Sequence, residues 1–200
     1  MSKVIAGATV SLDGFIADDS DAVGPLFDWY GNGSVEVYGA DPDRPFHVTQ
    51  ASADYIASVW PDIAVTVIGR RLFDITNGWN GVPAVGDHVI VVTHQAPTDW
   101  PFPDAPFTFV DNLEEAISQA KTMAGDRNIS LTGGNLTGQA LELGLVDELS
   151  LQLVPVIFGT GKPFFGNYTG RHQLFDNPTV TEGDRVTHLH YRRSVASHRD

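Results

Sequence analysis

The sequence predicts an α/β fold with a mostly parallel central sheet and an antiparallel C-terminal hairpin. Three observations predict it. Residues 63–68 and 88–93 form two nearly continuous apolar runs of strand length, as strands covered on both faces do. The best helical pattern, at 111–125, lies between strand candidates. Residues 179–182 and 186–192, joined through Gly183-Asp184-Arg185, read as a hairpin.

The elements follow in order. Val4 to Val10 is apolar and β-branched and ends in Ser11-Leu12-Asp13-Gly14, where Asp-Gly signals a turn. Residues 18–47 are rich in Asp, Gly, Pro and aromatics without periodicity, so they read as a long loop, usually functional or mobile. Residues 54–60 fit a short helix with Tyr55, Ile56 and Val59 along one side. In 111–125, Asp111 can cap and Glu114 completes a capping-box-like start. Leu113, Ala116, Ile117, Ala120 and Ala124 fall at helical spacing, and Gly125 stops the helix. Residues 128–132 form a weaker strand, and 136–143 a helix ending at Gly144. Leu149, Leu151 and Leu153 alternate with Ser150 and Gln152 as in a one-sided strand, and Pro155 beyond them points to an edge or a bulge. Nothing reads as a linker, so residues 1–200 are expected to form a single domain.

Composition excludes several functions. A chain of 200 residues with 42% hydrophobic content can bury about 70% of its unfolded surface. With 12 Lys+Arg against 25 Asp+Glu the net charge is −13, which repels nucleic acids and anionic membranes. The absence of Cys removes disulfides, thiolate zinc sites and cysteine nucleophiles. No apolar run approaches the ~18 residues of a membrane span, and Met1-Ser2-Lys3-Val4 lacks a signal-peptide layout, so a cytoplasmic protein is expected. His188-Leu189-His190 places two imidazoles on one strand face with no third ligand tied to them, so no metal is expected.

Open α/β sheets bind ligands beyond the carboxyl ends of their strands. Three such ends carry polar chemistry. Gly69-Arg70-Arg71 joins a residue that permits close approach to two guanidinium groups suited to phosphate. Gly133-Gly134 between a strand and a helix permits a tight turn whose N–H groups can hold a pyrophosphate, or is simply a turn. Thr93-His94-Gln95 offers polar contacts to a ribose or base. Asp13 is either an acid or substrate anchor or a turn residue, and Asp54 an acid or a charge near a helix start. Trp29, Tyr30 and Trp79 either wall a flat substrate or pack a satellite core.

In order, Val10-Ser11-Leu12-Asp13-Gly14, Val67-Ile68-Gly69-Arg70, Val91-Val92-Thr93-His94, Thr132-Gly133-Gly134, Gly144-Leu145-Val146-Asp147-Glu148-Leu149 and the stretch from Pro155 to Phe165 resemble a known family. It is the C-terminal reductase domain of the bifunctional riboflavin-biosynthesis protein, and more closely its stand-alone relatives of dihydrofolate-reductase-like fold. The resemblance spans nearly the whole chain. It implies a three-layer dihydrofolate-reductase-like fold and NADPH as cofactor. By matching motifs, Gly69, Arg70 and Arg71 would hold the adenosine 2′-phosphate and pyrophosphate end, with Thr93 and His94 near the adenosine. Gly133, Gly134, Asn135 and Leu136 would cradle the pyrophosphate, and Ala8, Ile16 and Ala17 would border the nicotinamide. Asp54 falls about where the folate enzyme carries its helix carboxylate, with Asp13 as the competing acid.

The expected function is an NADPH-dependent reductase of a small heterocyclic or carbonyl substrate. The nearest activity is reduction of the ribosylamino-pyrimidine phosphate of riboflavin synthesis. A dihydrofolate-reductase-like activity and a non-catalytic nucleotide-binding protein are the alternatives. Arg44, Lys162 and Arg171 are candidates for a substrate phosphate. The resemblance also implies a homodimer through residues 149–158. The zinc deaminase half of the bifunctional protein has no counterpart in this chain.

Overall fold

The computed structural model describes residues 2–194. Its elements are β1 (Val4–Ser11), β2 (Phe15–Ala17), β3 (Val35–Tyr38), β4 (Pro45–Val48), α1 (Gln50–Val59), β5 (Ile63–Gly69), α2 (Arg70–Thr76), β6 (His88–Val92), β7 (Phe107–Val110), α3 (Leu113–Ala124), β8 (Asn128–Thr132), α4 (Asn135–Glu142), β9 (Glu148–Val154), β10 (Lys162–Pro163), β11 (Thr179–Gly183) and β12 (Val186–Arg192). Short 3-10 segments occupy Gly24–Gly31, Trp60–Asp62 and Asn77–Gly81.

Eight strands form one sheet in the order β11-β12-β9-β1-β8-β5-β6-β7. The strands from β9 to β7 run parallel, whereas β12 joins β9 antiparallel and β11 closes that edge as a hairpin. Helices cover both faces, giving three layers. On one, α3 and α4 pack Ala116, Ile117, Ala120 and Ala140 with Val4, Ala6, Val10, Val67, Ile129 and Leu131. On the other, α1 and Gly24–Gly31 gather Leu26, Trp29, Tyr55 and Ile56 around Val154 and Val186. There α2 adds Phe73 against Ile68, Val89 and Val91.

The fold agrees with the predicted α/β class, its mostly parallel sheet and its closing hairpin. Local differences have physical causes. Asn112, not Asp111, caps α3: its Oδ1 accepts from the Glu115 N–H at 2.8 Å, and its Nδ2 donates back to Glu115 at 3.4 Å. The cap lies one residue beyond the predicted one, and its return bond comes from the Asn112 side chain and not from the backbone N–H of a capping box. α1 starts four residues before Asp54, with Thr49 as its cap, because small Ala51, Ser52 and Ala53 carry the helix without an apolar repeat. The stretch 18–47 is not one loop; it contains the Gly24–Gly31 segment and the β3–β4 hairpin. β7 is an additional edge strand beside β6. Pro155 marks no edge: β9 is paired on both sides and ends at Val154, one residue before it.

One feature of the sheet positions the site. β1 pairs with β8 only from Val4 to Gly7, where Gly7 faces Thr132. Its pairing with β9 continues to Ser11. Past Thr132 the chain turns away into α4, so the last four residues of β1 have no strand beside them on that side. Gly7 and Ala8 are consequently half-buried although β1 lies mid-sheet.

His188 of β12 is completely buried. Its Nε2 shares a 2.9 Å hydrogen bond with Ser52 Oγ, and its ring stacks on Tyr55 at 4.2 Å. Burial pushes its pKa down to about 4, so the fold holds the neutral ring. The unfolded chain titrates at the ordinary value near 6.5. Between those values the unfolded state binds more protons, so this contribution is complete above about pH 6.5 and lost as pH falls toward 4. The loss should reach about 3 kcal/mol. Urea unfolding at pH 7.5 and 4.5 should show it in the wild type and a shallower pH dependence in His188→Gln; equal pH slopes would contradict the assignment.

Candidate active site

The opening between β1 and β8 is bounded by bare backbone. A methyl group on Gly133 would lie 3.4 Å from Ala8 Cβ and 2.9 Å from the Phe164 ring. One on Gly134 would lie 3.7 Å from Ile16 Cδ1. Gly134 adopts φ 98° and ψ −152°, a conformation reserved for glycine, and its N–H donates to the Phe164 carbonyl at 2.7 Å. Phe164, 2% exposed, supports the turn from within. Ile16 and buried Ala17 arrive on β2, which is held by β10.

From this opening the first residues of α4 lead toward the neighbouring strand ends. Gly134, the N-cap of α4, offers no side chain, and α4 begins at Asn135, which packs on Gly166. A methyl group on Gly69 would sit 3.6 Å from Leu136 Cδ1, so the β5 end and the start of α4 adjoin. Beyond them a groove of about 570 Å³ is lined by Arg70, Thr93, His94, Gln95, Asp111, Leu136 and Gln139. Arg70 borders it, with Nε donating to Asp74 at 2.7 Å and Nη1 to the Gln95 carbonyl at 2.6 Å. Thr93 Oγ1 donates to the same carbonyl at 3.0 Å. The structure therefore places Ala8, Ile16, Gly133 and Gly134 at one end, and Gly69, Arg70, Leu136, Thr93 and His94 along the other. Arg71 separates from its neighbour and pairs with Asp21 in the loop after β2.

On the α1 face, polar groups gather over β1 and β9. Tyr55 Oη shares a 2.6 Å hydrogen bond with Ser150 Oγ, and Gln152 Nε2 donates to Ser150 at 3.0 Å and to Tyr55 at 3.3 Å. Burial raises the Tyr55 pKa, partly offset by Ser150 and Gln152. Burial also pushes Tyr30 far up, against a smaller opposing effect from its bond to Thr9. Both phenols stay protonated at neutral pH. Sequence reasoning missed Thr9, Tyr55, Ser150 and Gln152 as site residues. The signal for the last two was present: Ser150 and Gln152 alternate with leucines on what proves to be an interior strand.

Other predicted residues stand elsewhere. Both Asp13 oxygens are occupied: Ser11 Oγ donates at 2.6 Å, the Phe158 N–H lies 3.2 Å from each oxygen, and the Gly159 N–H donates at 2.7 Å. Ser11 foremost, with the two amides, holds Asp13 below the usual carboxylate range, so it is ionised and cannot donate a proton. Asp54 is exposed on the outer side of α1, where Gln50 donates to it at 2.7 Å. Ser52 and Tyr55 take the inward positions. Trp29 is 2% exposed, stacked on Tyr30 at 3.9 Å, and is core and not a wall of an open site. Trp79 packs with the cluster around Phe73 and Trp100, beside β6 and β7 and away from the opening. Arg44 is drawn to Asp41 and to the Trp79 carbonyl, whereas Lys162 pairs its backbone with Ala17 beside the opening.

An open, mostly parallel sheet with glycine turns and a groove at its strand carboxyl ends defines an α/β ligand-binding class. The chain belongs to the RibD C-terminal domain family, whose pattern matches residues 80–188, more than half of its length. The uncharacterized protein YyaP of Bacillus subtilis is 28% identical over 94% of both chains. A Shewanella structure described as a riboflavin-biosynthesis candidate has a TM-score of 0.67 at 22% identity, over 97% of this chain and 99% of its own. A Thermotoga maritima deaminase and 5-amino-6-(5-phosphoribosylamino)uracil reductase has a TM-score of 0.64 at 16% identity, and this chain spans 57% of it. Family membership supports a reductase-like role. Among the described residues no helix is long and apolar enough to cross a membrane.

If Asp13 anchors the 156–159 segment, Asp13→Ala should speed amide hydrogen exchange at Phe158 and Gly159. Unchanged exchange at those amides would contradict the anchoring role.

Proposed function

We propose that the protein is a reductase that binds NADPH along the strand ends and transfers hydride to a small heterocyclic or carbonyl substrate. One observation carries this reading: Gly133 and Gly134 adjoin Ala8 and Ile16 where β1 and β8 part, and Leu136, two residues on, lines the Arg70 groove. A methyl group at Gly133 would collide with Phe164, and one at Gly134 would strain its backbone. Bound NADPH would supply a hydride; the protein supplies position and exclusion of water.

In this reading the half-buried Ala8 and Ile16, with Ala17, border the nicotinamide. Gly133, Gly134, Asn135 and Leu136 cradle the diphosphate at the start of α4, where helix N–H groups favour an anion. Gly69 lets the chain approach closely, Arg70 meets the adenosine 2′-phosphate, and Thr93 and His94 flank the adenosine. The substrate lies on the α1 side of β1, where Tyr30 and Tyr55 are protonated hydroxyls able to form hydrogen bonds. A riboflavin-pathway ribosylamino-pyrimidine phosphate is the leading substrate class, with Lys162, whose strand pairs at Ala17, a candidate phosphate ligand.

A second reading, a nucleotide-binding protein without turnover, is favoured by the placement of Asp13 and Asp54, neither of which is set to act as an acid. The chain is also proposed to be a single domain and to pair as a homodimer. Because both edges of β9 are occupied, pairing at residues 149–158 would use a face or the loop carrying Ile157, which is 71% exposed.

Titration with NADPH should quench protein fluorescence saturably. Arg70→Ala should weaken NADPH by about tenfold while changing NADH much less. Absence of NADPH binding would overturn the reading. Binding without oxidation by the ribosylamino-pyrimidine phosphate or dihydrofolate would favour the second.

A further inference from the structure

Adjacent arginines at a strand end look like one phosphate clamp, but here they point to different partners. Successive helical residues diverge by about 100° around the axis. Arg70 turns to the groove and the Gln95 carbonyl. Arg71 turns to Asp21, which follows β2. The ion pair thus joins the two walls that flank residues 134–136. One wall is the Gly69–Arg71 turn, in contact with Leu136, and the other is the β2 segment, in contact with Gly134 through Ile16.

The two partners differ in freedom. The Asp21 side chain is 11% exposed and that of Arg71 69%. Asp21 sits in a tight turn: its N–H donates to the Asp18 carbonyl at 3.1 Å, and the Asp18 N–H to the Ala22 carbonyl at 2.9 Å. Asp18 Oδ1 also accepts from the N–H groups of Ser20 and Ala22, at 2.8 and 2.9 Å. The backbone that carries the short, shielded Asp21 side chain is therefore fixed, and the long, exposed arginine is the member that can swing. With the arginine open to water, the pair is screened and exchangeable. A diphosphate presents two negative charges and several acceptor oxygens against one carboxylate, and so competes well for a guanidinium.

We propose that Arg71 is an exchangeable ligand for the diphosphate of a bound nicotinamide dinucleotide, held in reserve by Asp21, while Arg70 alone reads the adenosine end. This rests on the dinucleotide reading above. Asp21 then lowers affinity for both NADPH and NADH, because the diphosphate is common to them. The two arginines become separable: loss of Arg71 affects both cofactors alike, and loss of Arg70 affects the phosphorylated one more.

Calorimetric titration of NADPH and NADH into the full chain tests this, with thermal melts to confirm folding. Asp21 has φ 68°, which asparagine tolerates best among residues other than glycine, so Asp21→Asn keeps the turn. Asp21→Asn should tighten both cofactors by about threefold to tenfold, and Arg71→Ala should weaken both by about tenfold, by the same factor. The double variant should bind like Arg71→Ala alone, because Asp21 has no effect once its partner is gone. Unchanged or weaker binding by Asp21→Asn, an Arg71→Ala effect confined to NADPH, or simple additivity in the double variant would overturn the proposal while leaving the dinucleotide reading intact. Failure of the folded wild type to bind either cofactor would overturn that reading and the proposal with it.

Discussion

The site depends on where β8 leaves β1. In a parallel sheet a central strand normally has a neighbour on each side along its whole length. Here β1 stays on β9 to Ser11 but loses β8 after Gly7. That one departure leaves an opening mid-sheet, directs Gly133 and Gly134 past Ala8 and Ile16, and starts α4 at its rim. The glycines follow from the geometry. At Gly133 a side chain would collide with Phe164; at Gly134 the backbone itself excludes one. Phe164 in turn is fixed from both sides, its N–H donating to the Gly14 carbonyl and its own carbonyl accepting from Gly134.

The layer above the opening is built for order. Asp13 draws three hydrogen-bond donors onto one exposed carboxylate and so ties the end of β1 to the segment after β9. The Ser52–His188 and Tyr55–Ser150–Gln152 bonds lie under α1 and Gly24–Gly31, where unpaired polar groups would be costly. Ser150 and Gln152 position Tyr55, Thr9 bonds Tyr30, and burial keeps both phenols protonated. Rigid hydroxyls beside an open strand suit recognition of a flat polar molecule better than a mobile loop would.

Much of the fold was legible because burial writes itself into residue type. The runs at β5 and β6 are apolar on both sides because both faces are covered. The hairpin of β11 and β12 announces itself through Gly183-Asp184-Arg185. Side-chain direction was harder to read. Arg70 and Arg71 look identical in sequence, and only the placement of Asp21 and Gln95 separates them. Asp54 and Tyr55 are neighbours on α1, yet the carboxylate faces out and the phenol faces in. Trp29 lies in a stretch without periodicity because a 3-10 segment repeats too briefly to leave a pattern, although it is core.

A dinucleotide bound where β1 and β8 part would touch a defined set of backbone amides. Amide chemical-shift mapping of the isotope-labelled protein during NADPH titration tests it most directly. Saturable shifts should begin at Ala8, Ile16 and Gly133–Leu136 and continue through Gly69, Arg70, Thr93 and His94. Shifts confined to the opposite end of the sheet, around Tyr38, Trp60 and Arg127, or no shifts at all, would contradict it.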